Sequence, residues 1–411
     1  MTITVHAPTS WPEPRDAGRR ADGSVAAPRT TMLAEAGGAR RSARTGWSRR
    51  AAAALVAVVA LGTILSPGGA GTARADDRPA STGPSATESA TSPSGARCRG
   101  HQFPIRLPDG GRYHIYGELC LRGRLTARTP VQILLHGGSY DHAYWDWPYQ
   151  PRTYSYVWHA TRAGYATLNL DRLGYGRSSR PDPSTLDFAV GGQAVHQVVR
   201  QLRRGVLGPR LRTIILNGHS MGGLVAERAA AHGGVDAVLI SGIPPRAPDL
   251  PDEETPEEPG DPMYPFYPAE RDPKFAARRL APGYLTTRPG TRAEAFHYPG
   301  MYDPGILVSE ERLKDTLTIA ELRSVRPDPS DPRRAQHATS GGHVPTAYVL
   351  GRHDVIACRQ TADCTTDPRA AGADHIAADS GHSINTSLGA VAFYRWTFDW
   401  LARTGVGPRR G

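Results

Sequence analysis

The chain has 411 residues, 39% of them hydrophobic, with 45 glycines, 36 prolines, four cysteines and a net charge of +10. That length allows one large or two ordinary domains, and the apolar share allows a sizeable core, which excludes a disordered composition. The charge does not argue for nucleic acid: residues 1–75 hold ten arginines against four acids, and the mild positive remainder shows no clustered basic run.

The N-terminus reads as a targeting segment. Arg40, Arg41, Arg44, Arg49 and Arg50 form a basic region ahead of an apolar run at 51–65. That run is shorter than the roughly 20 residues needed to span a bilayer. Ala73-Arg74-Ala75 matches a small-x-small cleavage site. We therefore expect a signal peptide over 1–75, cleavage after Ala75, a secreted product and no stable membrane span once cleaved. Ser48-Arg49-Arg50 is a partial match to twin-arginine export. The basic region begins late, so Met32 is an alternative translation start, and an uncleaved anchor is the competing reading.

Residues 76–97 are rich in Ser, Thr, Pro and Ala and read as a disordered linker, with the folded domain expected over 98–411. Strands are expected at 103–107 and 113–119, joined by a hairpin turn at Asp109-Gly110-Gly111. Further strands are expected at 131–135, 165–170, 213–216, 235–240, 346–350 and 376–378. Helices are expected at 154–162, 186–202, 224–231 and 387–401. Strands alternating with helices predict an α/β fold, a mostly parallel, doubly wound sheet covered on both faces.

Four cysteines allow three pairings. The local one joins Cys98 to Cys120 and Cys358 to Cys364, each closing a short loop that an oxidising compartment would keep. No C-x-x-C or H-x-x-x-H spacing suggests a metal, and no cofactor is expected.

The alternation stops at about 243–343, an insertion with an acidic, Pro-rich start. It is too long for a simple loop. Its aromatics Tyr264, Phe266, Tyr267, Phe296, Tyr298 and Tyr302 suit a pocket for an acyl or alcohol group. It is expected to set substrate choice and leave the chemistry to the core strands.

The chemistry-bearing stretch is Gly218-His219-Ser220-Met221-Gly222, between the strand at 213–216 and the helix at 224–231. A serine on so sharp a turn needs strained backbone angles, and its small neighbours let strand and helix pass closely. The helix start offers N–H groups to a developing oxyanion. The arrangement is a G-x-S-x-G nucleophile elbow. It resembles the serine esterase and lipase branch of the α/β-hydrolase superfamily, and the insertion after the sixth strand resembles that family's lid.

The resemblance implies further roles, in the chain order nucleophile, acid, histidine. Ser220 would be the nucleophile and His382, in Gly381-His382-Ser383, the base. Asp354, in Gly351-Arg352-His353-Asp354, would be the acid, with Asp379 as its rival. Gly138, in His136-Gly137-Gly138-Ser139, would donate an oxyanion N–H together with Met221. His136 is expected to brace its loop and His353 to face outward. Asp171 is expected to cap the turn in Asp171-Arg172-Leu173-Gly174-Tyr175-Gly176. Tyr144, Trp145 and Trp147 suit either a pocket mouth or a packed cluster. The implied activity is hydrolysis of a small-molecule carboxylic ester. Thioesterase, lactonase, acyltransferase and perhydrolase chemistry are open on the same groups, as is a non-catalytic binding protein. Oligomeric state is not legible.

Overall fold

The computed structural model describes residues 86–91, 95–245, 265–325, 344–358 and 361–408. The expected signal segment, its cleavage site, Tyr264 and the acidic run lie outside these residues.

In chain order the strands are β1 (Ala86–Thr91), β2 (Arg97–Arg106), β3 (Arg112–Leu121), β4 (Val131–Leu135), β5 (Ala166–Leu170), β6 (Ile214–His219) and β7 (Ala237–Ser241), then β8 (Phe266–Pro268), β9 (Tyr284–Thr287), β10 (Leu317–Thr318), β11 (Thr346–Gly351) and β12 (His375–Ala377). The helices are α1 (Pro151–Tyr154), α2 (Tyr156–Arg162), α3 (Phe188–Arg204), α4 (Met221–Ala230), α5 (Arg292–Phe296), α6 (Pro304–Leu313), α7 (Ile319–Ser324) and α8 (Ala390–Arg403).

Nine strands form one sheet in the order β1-β2-β3-β5-β4-β6-β7-β11-β12. The run from β5 to β12 is parallel and the β1-β2-β3 end is antiparallel. The chain goes from β4 outward to β5, then returns past β4 to lay down β6 on its other side. Such a switch leaves a crevice beyond the carboxyl ends of β4 and β6, where ligands of open α/β sheets bind.

The central strands are buried on both faces, which explains their near-continuous apolar sequence. Alternate residues serve opposite cores. Ile133, Leu135, Ile214, Leu216, Val238 and Ile240 pack with the buried faces of α3 and α4. Leu134, Ile215, Ala237 and Leu239 pack on the other face with α2 and α8. Each of these Val, Leu and Ile side chains contributes roughly 1.5–3 kcal/mol through burial. The longest helix, α3, starts at Asp187, whose carboxylate accepts the Val190 N–H, and ends at Gly205 in the left-handed region (φ 88°). Both ends thus satisfy backbone groups that the helix itself leaves open.

The linker reading of 76–97 is corrected at Ala86–Thr91, which pairs antiparallel with β2. A main-chain ladder along a sheet edge needs no apolar side chain, so composition carries no trace of it. The expected disulfides form. Cys98 and Cys120 are direct partners across the β2–β3 register, and Cys358 bonds Cys364 six residues on.

The insertion follows β7, the seventh strand once β1 is counted. Its described part, 265–325, carries a separate three-stranded antiparallel sheet, β10-β9-β8, with α5, α6 and α7. Tyr144, Trp145 and Trp147 are fully buried and belong to the packed core on the α8 side, which excludes the pocket-mouth option for all three. No helix of the described residues is long and apolar enough to cross a membrane.

Candidate active site

Ser220 occupies the tight turn between β6 and α4 with φ 52° and ψ −126°, in the positive-φ region that side chains rarely adopt. Two close approaches hold it there. A Cβ on Gly218 would stand 2.4 Å from the Gly222 carbonyl oxygen, and a Cβ on Gly222 would stand 2.2 Å from that of Leu135. Only glycine at both positions lets the start of α4 press onto the ends of β4 and β6. The Ser220 N–H donates to the Ser241 carbonyl at the end of β7 (2.7 Å).

The elbow presents Oγ of Ser220 to Nε2 of His382 at 2.9 Å. Nδ1 of His382 lies 3.0 and 2.9 Å from the two carboxylate oxygens of Asp354. Two acceptors at Nδ1 place the proton there, which leaves Nε2 to accept from the serine hydroxyl. Asp354 is fully buried and sits three residues past β11. Its Oδ1 also accepts the N–H groups of Ile356 and Ala357 at 3.0 and 2.9 Å, which aims the carboxylate. The Cys358–Cys364 disulfide closes the same turn, with the Cys358 N–H on the Asp354 carbonyl. Asp379, the rival acid, is exposed.

The loop after β4 supplies the remaining parts. A Cβ on Gly138 would stand 2.5 Å from Sδ of Met221, and one on Gly137 would stand 3.2 Å from Cβ of Ser220. The loop therefore lies directly beside the elbow. The N–H groups of Gly138 and Met221 take part in none of the loop and turn hydrogen bonds between described residues. His136 is fully buried, and burial beside Arg172 pushes its pKa down to about 3. Its Nδ1 donates to the Gly137 carbonyl (2.8 Å) and its Nε2 accepts the Arg172 N–H (3.1 Å). It is a neutral brace, as expected. Asp171 closes its turn by accepting the N–H of Arg177 and both the N–H and Nδ1–H of His142. Asp141, His142 and Asp171 are close enough to hold a cation, but both Asp171 oxygens already accept protein N–H donors.

The aromatics assigned to the insertion divide. Phe296 lies buried, 6.2 Å from the His382 ring and 5.7 Å from the Tyr140 ring. Phe266 is half-buried, while Tyr267 is turned to Asp272. Tyr302 packs on His297 and Tyr298 stacks on His353. His353 therefore stands half-buried against the insertion, where the sequence suggests an outward-facing side chain.

Sequence reasoning misses four residues here. His219 lies buried 5.0 Å from the His382 ring, stacked on Tyr144, with Nδ1 at 3.1 Å from Ser241 Oγ; burial drives its pKa well down. Arg292 and Glu310 are buried charges of the insertion that face the oxyanion loop. Glu321 pairs with Arg172 and Tyr175. Glu321 alone carries a local signal: Thr318-Ile319-Ala320-Glu321 is a capping-box spacing, and the box forms at the start of α7.

A serine on an elbow, a histidine oriented by a buried carboxylate and two nearby backbone N–H groups define a site suited to nucleophilic hydrolysis on an α/β fold. Residues 132–392 match the model of the alpha/beta hydrolase family, and the chain belongs to that family. Among solved structures it is similar to a thermophilic esterase from Thermogutta terrifontis with malate bound, at 17% identity over 74% of this chain and 98% of that one, TM-score 0.48. It is also similar to an alpha/beta hydrolase from Penicillium sp. sh18 (16%, 74% and 98%, TM-score 0.44). A thioesterase domain from the curacin biosynthetic pathway is a third (17%, 72% and 98%, TM-score 0.41). A search of the curated proteins finds no match.

Proposed function

We propose that the chain is a secreted serine hydrolase that cleaves a small-molecule carboxylic ester through an acyl-enzyme. The observation that carries the reading is the relay of Asp354, His382 and Ser220, joined by contacts of 2.9 Å at both steps. Ser220 attacks the carbonyl carbon while His382 Nε2 takes the hydroxyl proton. The carbonyl oxygen, now negative, accepts the N–H groups of Gly138 and Met221. His382 then protonates the leaving alkoxide, and the same groups activate water for deacylation. Asp354 holds the imidazole tautomer and stabilises the imidazolium.

The export part of the reading rests on the basic-apolar-cleavage pattern of 1–75, with two disulfides in support. The insertion is proposed to cover the site and shape its acyl or alcohol pocket, with Phe296 buried 6.2 Å from the His382 ring. A series of p-nitrophenyl esters of increasing acyl length, run with the parent protein and Ser220→Ala, tests the activity. Turnover that survives Ser220→Ala would refute it.

A further inference from the structure

The insertion reaches the catalytic loops through one buried carboxylate. Glu310, on α6, is fully buried. Its Oε1 accepts the Tyr140 hydroxyl at 2.7 Å and His297 Nε2–H at 2.9 Å, and its Oε2 accepts Arg292 Nε–H at 3.0 Å. Two branches leave this hub. In the first, Arg292 Nη1 donates to Ser139 Oγ (2.9 Å) and to Thr287 Oγ1 (3.1 Å), and its guanidinium lies over the Tyr140 ring at 4.3 Å. Ser139 is the residue after Gly138; it is fully buried at φ 56°, and it exchanges backbone bonds with Asp315 and Thr316 of the insertion. In the second, the Tyr140 hydroxyl, its proton given to Glu310, accepts Ser383 Oγ–H at 2.8 Å. Ser383 follows His382, and its N–H donates to the Phe296 carbonyl (2.9 Å).

The oxyanion loop and the base loop are thus both anchored on Glu310, far from either in sequence. Burial alone would push the Glu310 pKa up, but His297 and Arg292 outweigh it and hold the carboxyl below its usual range. A charge kept in so dry a place costs stability unless every partner is present. A positive-φ serine next to an oxyanion donor likewise persists only where its surroundings hold it.

We infer that Glu310, with Arg292 and Tyr140, is a positioning group for the reaction: it holds the Gly138 N–H and the His382 ring in register with Ser220. The insertion then sets turnover as well as substrate fit. The inference rests on the serine-hydrolase reading above.

The test is Tyr140→Phe, Ser383→Ala and Glu310→Gln, assayed with p-nitrophenyl acetate and p-nitrophenyl octanoate. Sites are counted by titration with a fluorophosphonate, so kcat refers only to competent protein. Losing or misaligning one oxyanion donor costs about 10²–10³ in rate. Tyr140→Phe is expected to lower kcat about tenfold on both esters with KM within twofold, and Glu310→Gln a hundredfold. Tyr140→Phe/Ser383→Ala should lose no more than Tyr140→Phe alone, since the Tyr140–Ser383 bond that Ser383→Ala removes is already gone in Tyr140→Phe, together with the bond to Glu310. If Glu310→Gln does not fold, the two milder variants decide alone. Wild-type kcat per titrated site, or a loss confined to KM on octanoate, would overturn the inference while leaving the hydrolase reading intact. A parent protein with no titratable serine would overturn both.

Discussion

Gly222→Ala probes the close contact between elbow and sheet. The new methyl would stand 2.2 Å from the Leu135 carbonyl oxygen and 2.4 Å from that of His136, while ordinary contact begins at 3.4 Å. Both neighbours are backbone, so no side chain can rotate away. The start of α4 must retreat from the end of β4 by about 1 Å. Overpacking of this kind costs about 1–3 kcal/mol, and for a chain this size each kcal/mol lowers Tm by roughly 2 °C. The retreat also carries the Met221 N–H away from Gly138. A displacement of 1 Å can cost about a hundredfold in rate. We therefore expect Gly222→Ala to lower Tm by about 2–6 °C and kcat/KM on p-nitrophenyl acetate by a hundredfold or more. Gly191→Ala in α3 is the milder comparison, because its methyl would meet only side-chain methyls of Val225, at 3.2 and 3.8 Å. It should keep full activity and change Tm by less than Gly222→Ala, since a shift of a few tenths of an ångström at Val225 relieves the contact and better helix propensity works against the cost. Thermal melts and initial rates on the two variants suffice. Wild-type rate and Tm in Gly222→Ala would refute the reasoning.

Ser220→Ala, His382→Ala and the double variant should each lose about the same factor in kcat, on the order of 10⁴–10⁶, because the groups act as a unit; additive losses would contradict this. Asp354→Asn should lose most activity through the wrong imidazole tautomer, and Asp379→Asn should lose none, as rates on one ester will reveal. Denatured, unreduced protein should show no thiol in an Ellman titration, and four reactive groups would disprove both disulfides. The His142–Asp171 pair (2.7 Å) gives a pH signature: burial lowers the His142 pKa, but Asp171 outweighs it and raises it to about 10. A raised folded pKa stabilises below the unfolded value of about 6.5 and loses that effect as pH climbs through the folded value. The Tm advantage of the parent over His142→Gln should therefore be largest near pH 6 and shrink toward pH 10, whereas a constant gap would count against the pair.

What could be read from the chain was whatever has a local cause. The sheet strands announce themselves because residues such as Ile214, Ile215 and Leu216 must be apolar on both faces. The elbow is legible because Gly218 and Gly222 answer a steric demand that no other residue meets. Asp354 and His382 are indicated by the chain order that the family resemblance implies, together with their positions just past strands. β1 escapes because its pairing is made by main chain alone. The Glu310 hub escapes because its partners Tyr140, Arg292, His297 and, through Tyr140, Ser383 are scattered over more than two hundred residues with no shared spacing. The contacts of Arg292 with Ser139 and of Glu310 with Tyr140 likewise have no local cause, and on the positioning role inferred for Glu310 the insertion would act on turnover as well as on substrate choice.

The central claim is that Ser220 is an activated nucleophile. A fluorophosphonate reacts only with a serine whose hydroxyl is deprotonated on attack and whose oxyanion is held. Incubation of the folded protein with such a probe, followed by peptide mass spectrometry, reads the site directly. The account predicts stoichiometric labelling on Ser220, abolished in Ser220→Ala and strongly slowed in His382→Ala. An unlabelled protein, or a label on any other residue, would contradict it.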